Sequence, residues 1–99
     1  MTTKIRRSSG NVFRDLGFAP DEAEHLKIRA SLMVELRKII EARRLTQARA
    51  AELLGVSQPR VSDLVRGKIN LFSIDTLVDM LDHAGVRVSM TLQRRVGVA

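Results

Sequence analysis

Side chains able to form several hydrogen bonds are concentrated in the stretch GVSQPRVSDL, residues 55–64. It offers an amide at Gln58 and a hydroxyl at Ser62, groups that can both donate and accept. Gly55 is suited to end a helix in a left-handed turn, and Ser57 is a preferred N-cap residue. The proline after Gln58 costs no helical hydrogen bond, because N–H groups of the first turn have no intrahelical partner. The stretch therefore predicts two short helices joined by a tight bend, with polar side chains on the second.

The two short helices need an apolar surface on which to pack, and residues 47–66 supply one. The residues expected to face inward are Ala50, Leu53, Leu54, Val56, Val61, Leu64 and Val65. The residues left pointing outward on the second helix are Gln58, Pro59, Ser62, Asp63 and Arg66. Thr46 is expected to cap the first helix and Gly67 to end the second. This arrangement would hold the polar residues on one exposed face.

The charge of the chain points to an anionic partner. Its 99 residues carry a formal net charge of +6, with a pI near 11.1, and nucleic acid is the most common partner of so basic a protein. Residues 43–68 hold six cations and two acids, whereas residues 69–86 hold three acids and no cation. A basic helical pair followed by an acidic helix indicates a polarised molecule with one face suited to phosphate.

Length and composition favour one small helical domain. The chain is 44% apolar and lacks Trp, Tyr and Cys, so its core must be mainly aliphatic. The absence of cysteine rules out disulfides and thiolate metal sites and fits a reducing cytoplasm. No segment approaches the roughly 18 apolar residues that a membrane span needs. His25 and His83 are isolated, and no catalytic motif or metal-ligand spacing occurs, so we expect neither an enzyme nor a cofactor or metal.

The chain divides into four predicted segments. Residues 1–11 are a flexible basic arm, residues 12–85 the folded domain, residues 86–93 a strand, and residues 94–99 a tail. The apolar stretch NVFRDLGFAP is expected to pack back onto the domain.

Helix boundaries outside the central stretch follow from caps and periodicity. A helix is predicted to begin at Pro20, and residues 21–43 have helical periodicity. The sequence leaves open whether they form one helix or two, broken near Ser31. A further helix is expected to be capped by Ser73 and to end at Gly85.

The stretch QARAAELLGVSQPRVSDLVR, residues 47–66, resembles the helix-turn-helix of the large Cro/cI-like (XRE) regulator superfamily. The residues that carry the resemblance are the small Ala51, the turn residue Gly55, and the apolar Val56, Val61 and Leu64. The resemblance implies a mainly α fold: a lambda-repressor-like helix-turn-helix bundle of four to five helices with a short C-terminal β-strand. It also implies binding to double-stranded DNA.

The resemblance assigns roles to individual residues. Its candidates for reading bases are Gln58, Arg60, Ser62 and Asp63. Gln58 suits adenine N6 and N7, Arg60 suits guanine or a phosphate, and Asp63 would accept from cytosine N4 or orient an arginine. Pro59 lacks a donor, which makes base reading there doubtful. Its candidates for phosphate contacts are Thr46, Gln47, Ser57, Arg66 and Lys68.

The residues on both sides of the motif resemble a narrower group. NVFRDLGFAPDEAEHLKIRASLMVELRKII and GKINLFSIDTLVDMLDHAGVRVSM are similar to small regulators encoded beside RelE/HigB-like toxins. The resemblance implies a HigA-type antitoxin that represses its own operator, neutralises a ribosome-dependent ribonuclease and lies in the cytoplasm on the nucleoid. Two alternatives stay open: a free-standing or phage-type repressor, and a basic RNA-binding or assembly module.

The last predicted element is a strand without a visible partner. Val86, Val88, Met90 and Leu92 alternate with polar residues, which is the period of a strand with one buried face. Because helix-turn-helix proteins bind palindromic operators as two-fold dimers, we expect antiparallel pairing of this strand with a second copy. Pairing with NVFRDL of the same chain, or with a toxin, are the alternatives.

Overall fold

The computed structural model describes residues 2–6, 17 and 20–94. In chain order the elements are β1 (Thr2–Arg6), α1 (Pro20–Ala42), α2 (Gln47–Leu54), α3 (Gln58–Val65), a 3-10 helix (Ile69–Leu71), α4 (Ile74–His83) and β2 (Arg87–Thr91). This mainly helical architecture with a C-terminal strand confirms the predicted fold class. The stretch at residues 11–19, apart from Gly17, and the tail after Arg94 lie outside the described residues.

One unbroken helix, α1, occupies the segment for which the sequence left two possibilities. It runs for 23 residues, from Pro20 to Ala42. At the suspected break, Ser31 donates its hydroxyl to the carbonyl of Lys27 at 3.0 Å, a bond compatible with helical backbone. The helix ends where Arg44 adopts a positive φ of 50° and the N–H of Leu45 donates to the carbonyl of Ile40 at 3.0 Å.

The predicted caps of the short helices are confirmed. The hydroxyl of Thr46 accepts from the N–H of Arg49 at 3.1 Å at the start of α2. Gly55 ends α2 with a φ of 69°, and its N–H bonds the carbonyl of Ala51. Ser57 caps α3 by accepting from the N–H of Arg60 at 3.4 Å. Ser73 caps α4 in the same way.

The core lies where the four α-helices meet around a buried aromatic ring. Phe72 is the largest of the fully buried side chains, and the aliphatic residues fully buried in the same cluster are Leu32, Leu36, Leu54, Leu64, Leu77 and Leu81. A smaller cluster of Ala50, Ala51 and Val61 holds α2 against α3. Val56, expected in the core, is partly buried and packs against both clusters. Burial of these residues fixes the position of α3 relative to the other helices.

The strand β2 pairs with the opposite end of the same chain. It forms a parallel ladder with β1 in which Thr2 stands opposite Arg87 and Arg6 opposite Thr91. The interpretation of residues 1–11 as a flexible arm is therefore wrong for Thr2–Arg6, which form a strand. The expectation that β2 has no partner within its own chain is wrong as well. The alternative that NVFRDL pairs with β2 concerns residues outside those described.

Candidate nucleic-acid interface

The helix α3 has one face anchored in the core and another turned to solvent. Val61 and Leu64 have no exposed surface, which confirms their predicted inward orientation, whereas the same prediction is wrong for Val65, which is exposed. Gln58 and Pro59, at the first turn, are exposed, and Ser62 is partly buried. The core thus holds the inner face of α3, while the amino-terminal end of the helix exposes polar side chains to solvent.

The turn between α2 and α3 requires glycine for two reasons. Gly55 has a φ of +69°, which side-chain-bearing residues adopt only with strain. A Cβ atom at this position would also lie 2.9 Å from Cδ2 of His83. His83 is exposed, and its Nδ1 lies 2.8 Å from the carbonyl of Asp79. The end of α4 therefore lies directly against the turn, a contact that the sequence did not indicate.

Arg60, a candidate for reading bases, is directed toward the protein. Its Nη1 donates to the carbonyl of Leu71 at 2.8 Å, and its Cζ lies 4.5 Å from the centre of the Phe72 ring. A guanidinium over an aromatic face is held by the negative quadrupole of the ring. In this structure the Arg60 side chain thus connects α3 to the segment that follows it, and its guanidinium does not join Gln58 on the outer face.

A second arginine, which sequence reasoning missed, holds the same segment. Arg29 of α1 donates from Nη1 to the carbonyls of Ile69 and Phe72, at 3.3 and 3.4 Å. Arg29 and Arg60 together bind three carbonyls of residues 69–72. We define these two side chains and the segment they bind as the arginine clamp. No pattern could have revealed Arg29, because its partners lie some forty residues along the chain.

Asp63 and Lys68, which the sequence assigned to separate DNA contacts, form an ion pair with each other. The Lys68 Nζ atom lies 3.6 Å from Oδ1 of Asp63, and the N–H of Lys68 donates to the Asp63 carbonyl at 3.0 Å. The pair closes the end of α3. A candidate base-reading residue and a candidate phosphate-contacting residue thus neutralise one another here.

The remaining phosphate candidates lie at the ends of the motif helices. Thr46, Gln47, Ser57 and Arg66 are all exposed. The Thr46 and Ser57 oxygens accept from backbone N–H groups, but a hydroxyl that accepts can still donate to a phosphate. Both hydroxyls stand at helix amino termini, where the backbone dipole favours an anion.

Comparisons with known proteins agree with this geometry. A sequence profile for a helix-turn-helix domain matches residues 12–93. A solved structure named as an XRE family transcriptional regulator is similar to this chain, with a TM-score of 0.70 and 31% sequence identity over 79% of this chain and 88% of that chain. This chain belongs to the XRE family of helix-turn-helix proteins. A search of curated proteins found no match.

In this XRE-family protein the helix-turn-helix motif has a net positive charge and α4 has a net negative charge. Residues 43–68 carry six cations and two acids, one of which is the paired Asp63. The acids of α4, Asp75, Asp79 and Asp82, are all exposed. In the described part of the chain no helix is long and apolar enough to cross a membrane, and no three His, Asp or Glu side chains are grouped as metal ligands.

Proposed function

We propose that this XRE-family protein is a sequence-specific repressor that binds a palindromic operator as a homodimer. The observation that carries the proposal is the two-sided character of α3, with Val61 and Leu64 in the core and Gln58 and Ser62 on the polar side. A helix anchored in this way can enter a major groove with its amino-terminal residues at the base edges. Membership of the XRE family supports DNA-binding transcriptional regulation.

Within α3 the structure favours Gln58 as the principal base-reading residue. Its exposed amide can bond adenine N6 and N7 together, a contact worth about 1–3 kcal/mol of discrimination. Ser62, four positions later, lies on the same side of the helix. Arg60 and Asp63 are bound to other parts of the protein, so we assign them supporting roles.

Phosphate binding would come from the ends of the motif helices. Thr46, Gln47 and Ser57 surround helix amino termini, and Arg66 follows α3. These groups would position the domain and make its affinity strongly salt-dependent, without selecting a sequence.

The proposed binding to a palindromic operator is tested by selecting DNA duplexes from a random pool and measuring their affinity for the protein. We expect selected duplexes to contain two half-sites related by a two-fold axis and centred about 34–36 Å apart. Gln58→Ala should lower the preference for the operator over random duplex, whereas Arg66→Ala should weaken both alike. Equal binding of the wild type to both duplexes would contradict the proposal, and tighter binding to RNA would favour the RNA-binding alternative.

We further propose that the repressor is the antitoxin of a HigB/RelE-like toxin. The resemblance of the segments on both sides of the motif supports this partner. The exposed acids of α4 add support, because such toxins are small and basic and would be attracted to an acidic surface.

Co-expression with the product of the adjacent gene tests the toxin partner. We expect the two chains to purify together and the ribonuclease to be inactive in the complex. A variant with Asp75, Asp79 and Asp82 all changed to Asn should bind the toxin more weakly at low salt. Operator binding without any toxin partner would instead support a free-standing repressor.

A further inference from the structure

A depression with mainly apolar walls lies between α1 and the segment that follows α3. It has a volume of about 270 Å³ and is lined by Ala30, Met33, Val34, Arg37, Gly67 and Ile69. The four lining residues of α1 have the spacing i, i+3, i+4 and i+7, so they form one stripe along the helix. Ligand sites in proteins typically have volumes of about 300–1,000 Å³, so this depression suits a small molecule.

The apolar part of the depression is surface that the core leaves uncovered. Met33 is 4% exposed and forms the floor, and Ile69 packs against the core from the opposite wall. Val34 is 46% exposed, the highest value among the large apolar side chains described in α1. A ligand with an apolar chain would remove this surface from water.

Arg37 is the charged member of the lining, and its guanidinium has its donors available. Within the described part of the chain it takes part in no ion pair or side-chain hydrogen bond. The adjacent Lys38, in contrast, has its Nζ atom 3.5 Å from Oε1 of Glu35. A guanidinium with available donors binds a carboxylate through two parallel N–H···O bonds. The lining thus combines an apolar surface with one site for an anion.

The order of these groups along α1 fixes how an elongated ligand would lie. Val34 and Arg37 also border a second depression of about 290 Å³, which Lys38 and Glu41 line further along the helix. The surface therefore changes from apolar to charged toward the carboxyl end of α1. From Ala30 to Arg37 the helix rises by about 10 Å. An apolar chain of that length would place its anionic end at Arg37.

We propose that this depression is an effector site for a small amphiphilic carboxylate. The chain of the ligand lies along Ala30 and Val34, and its carboxylate pairs with Arg37. Inorganic phosphate matches the site less well, because it has no apolar part to cover Val34. The ligand would connect α1 to the segment after α3, since Gly67 and Ile69 form the opposite wall. None of the four candidate base-reading residues lines the depression, so ligand and DNA use different side chains.

Titration with octanoate tests the site, because this probe joins a carboxylate to an unbranched apolar chain. In amide NMR spectra the Gly67 signal should shift and saturate, while those of Gly55 and Gly85, outside the depression, should stay in place. We expect a dissociation constant of about 1 mM or below. Hexanoate should bind about tenfold more weakly, because each methylene removed from water contributes roughly three- to fourfold. Inorganic phosphate should produce no saturable shift of Gly67.

Variants of α1 separate the role of the charge from that of the apolar surface. Arg37→Gln should weaken octanoate binding about tenfold and leave the binding of uncharged octanol unchanged. Lys38→Gln is the matched control and should change octanoate binding by less than about twofold, because Lys38 is already paired with Glu35. Val34→Asp, at an exposed position, should abolish octanoate binding by placing a competing carboxylate one turn from Arg37.

Two results would overturn the proposal. Absence of a saturable Gly67 shift in the wild type would show that another part of the chain or a second copy covers the depression. Equal octanoate affinity of Arg37→Gln and the wild type would show that the guanidinium does not hold the carboxylate. Circular dichroism of each variant checks that the helices are retained. These measurements use no DNA, so their failure is distinguishable from a failure of operator selection.

Discussion

The two connections that flank α3 are built by different means. The turn before α3 is fixed by residues close in sequence: Gly55 has a left-handed φ, and Ser57 caps the helix through the N–H three residues on. The segment after α3, residues 69–72, is instead bound by Arg29 of α1 and by Arg60. The conformation of the first connection depends on local backbone preference, although the His83 ring of α4 also packs against it, and the second connection depends on the assembled fold.

This difference changes the interpretation of the cations in the motif. A basic residue on a recognition helix is readily assigned to DNA, but Arg60 bonds a carbonyl and covers Phe72. Under the proposed function, Arg60 would hold α3 at a fixed angle while Gln58 contacts the bases. The turn and the arginine clamp can be disrupted separately, which lets the comparison be tested.

The largest effect is expected at the turn. Gly55→Val should lower the free energy of unfolding by about 3 kcal/mol or more, because it adds backbone strain to the clash with the His83 ring. Urea unfolding measures the loss. Gly67→Val is the matched control, since Gly67 has a φ of +72° but no described atom within 4 Å of its Cβ position. Equal losses at the two glycines would show that the His83 contact is unimportant.

The next largest effect is expected where α2 crosses α3. Ala51 is buried in the cluster that also contains Ala50 and Val61. Ala51→Leu should overpack this cluster and lower stability by about 1–3 kcal/mol, with a matching fall in melting temperature. Ala48→Leu, on the exposed side of the same helix, should change little. An unchanged melting temperature for Ala51→Leu would contradict the close crossing of the two helices.

A smaller effect is expected from the arginine clamp. Arg60→Met keeps the aliphatic part of the side chain but removes the bond to Leu71 and the contact with Phe72, so we expect a loss of about 1 kcal/mol. Combining it with Arg29→Met should give a non-additive loss, since both side chains hold one segment. The base preferences of the operator should survive Arg60→Met. A lost preference at a single base pair, with stability unchanged, would show that Arg60 reads DNA.

The smallest effect is expected from the pair that closes α3. Asp63→Asn releases Lys68 and removes a negative charge from the motif, so affinity for every duplex should rise slightly, by less than about 1 kcal/mol. Titrations at several salt concentrations measure the change, which should shrink as salt rises. Weaker binding confined to operators with one particular C·G pair would instead assign Asp63 to cytosine.

The sequence by itself determined the ends of the short helices and the exposed polar face of α3. Gly55, Thr46, Ser57 and Ser73 mark helix ends through φ preference and side-chain caps that act within three or four residues. Apolar spacing placed Val61 and Leu64 inside. Such features depend on residues only a few positions apart, so a short stretch of sequence is enough to predict them.

The tertiary structure decided which polar groups remain available and which strands meet. Arg60 has a partner only because Phe72 and Leu71 are brought beside α3, and Arg29 reaches the same segment only across the α1 contact. Thr2–Arg6 and Arg87–Thr91 stand side by side although all four α-helices lie between them in the chain. Backbone groups of any strand can pair with those of any other, so the sequence of neither strand specifies its partner. The packing of α4 against the core places β2 where β1 can pair with it.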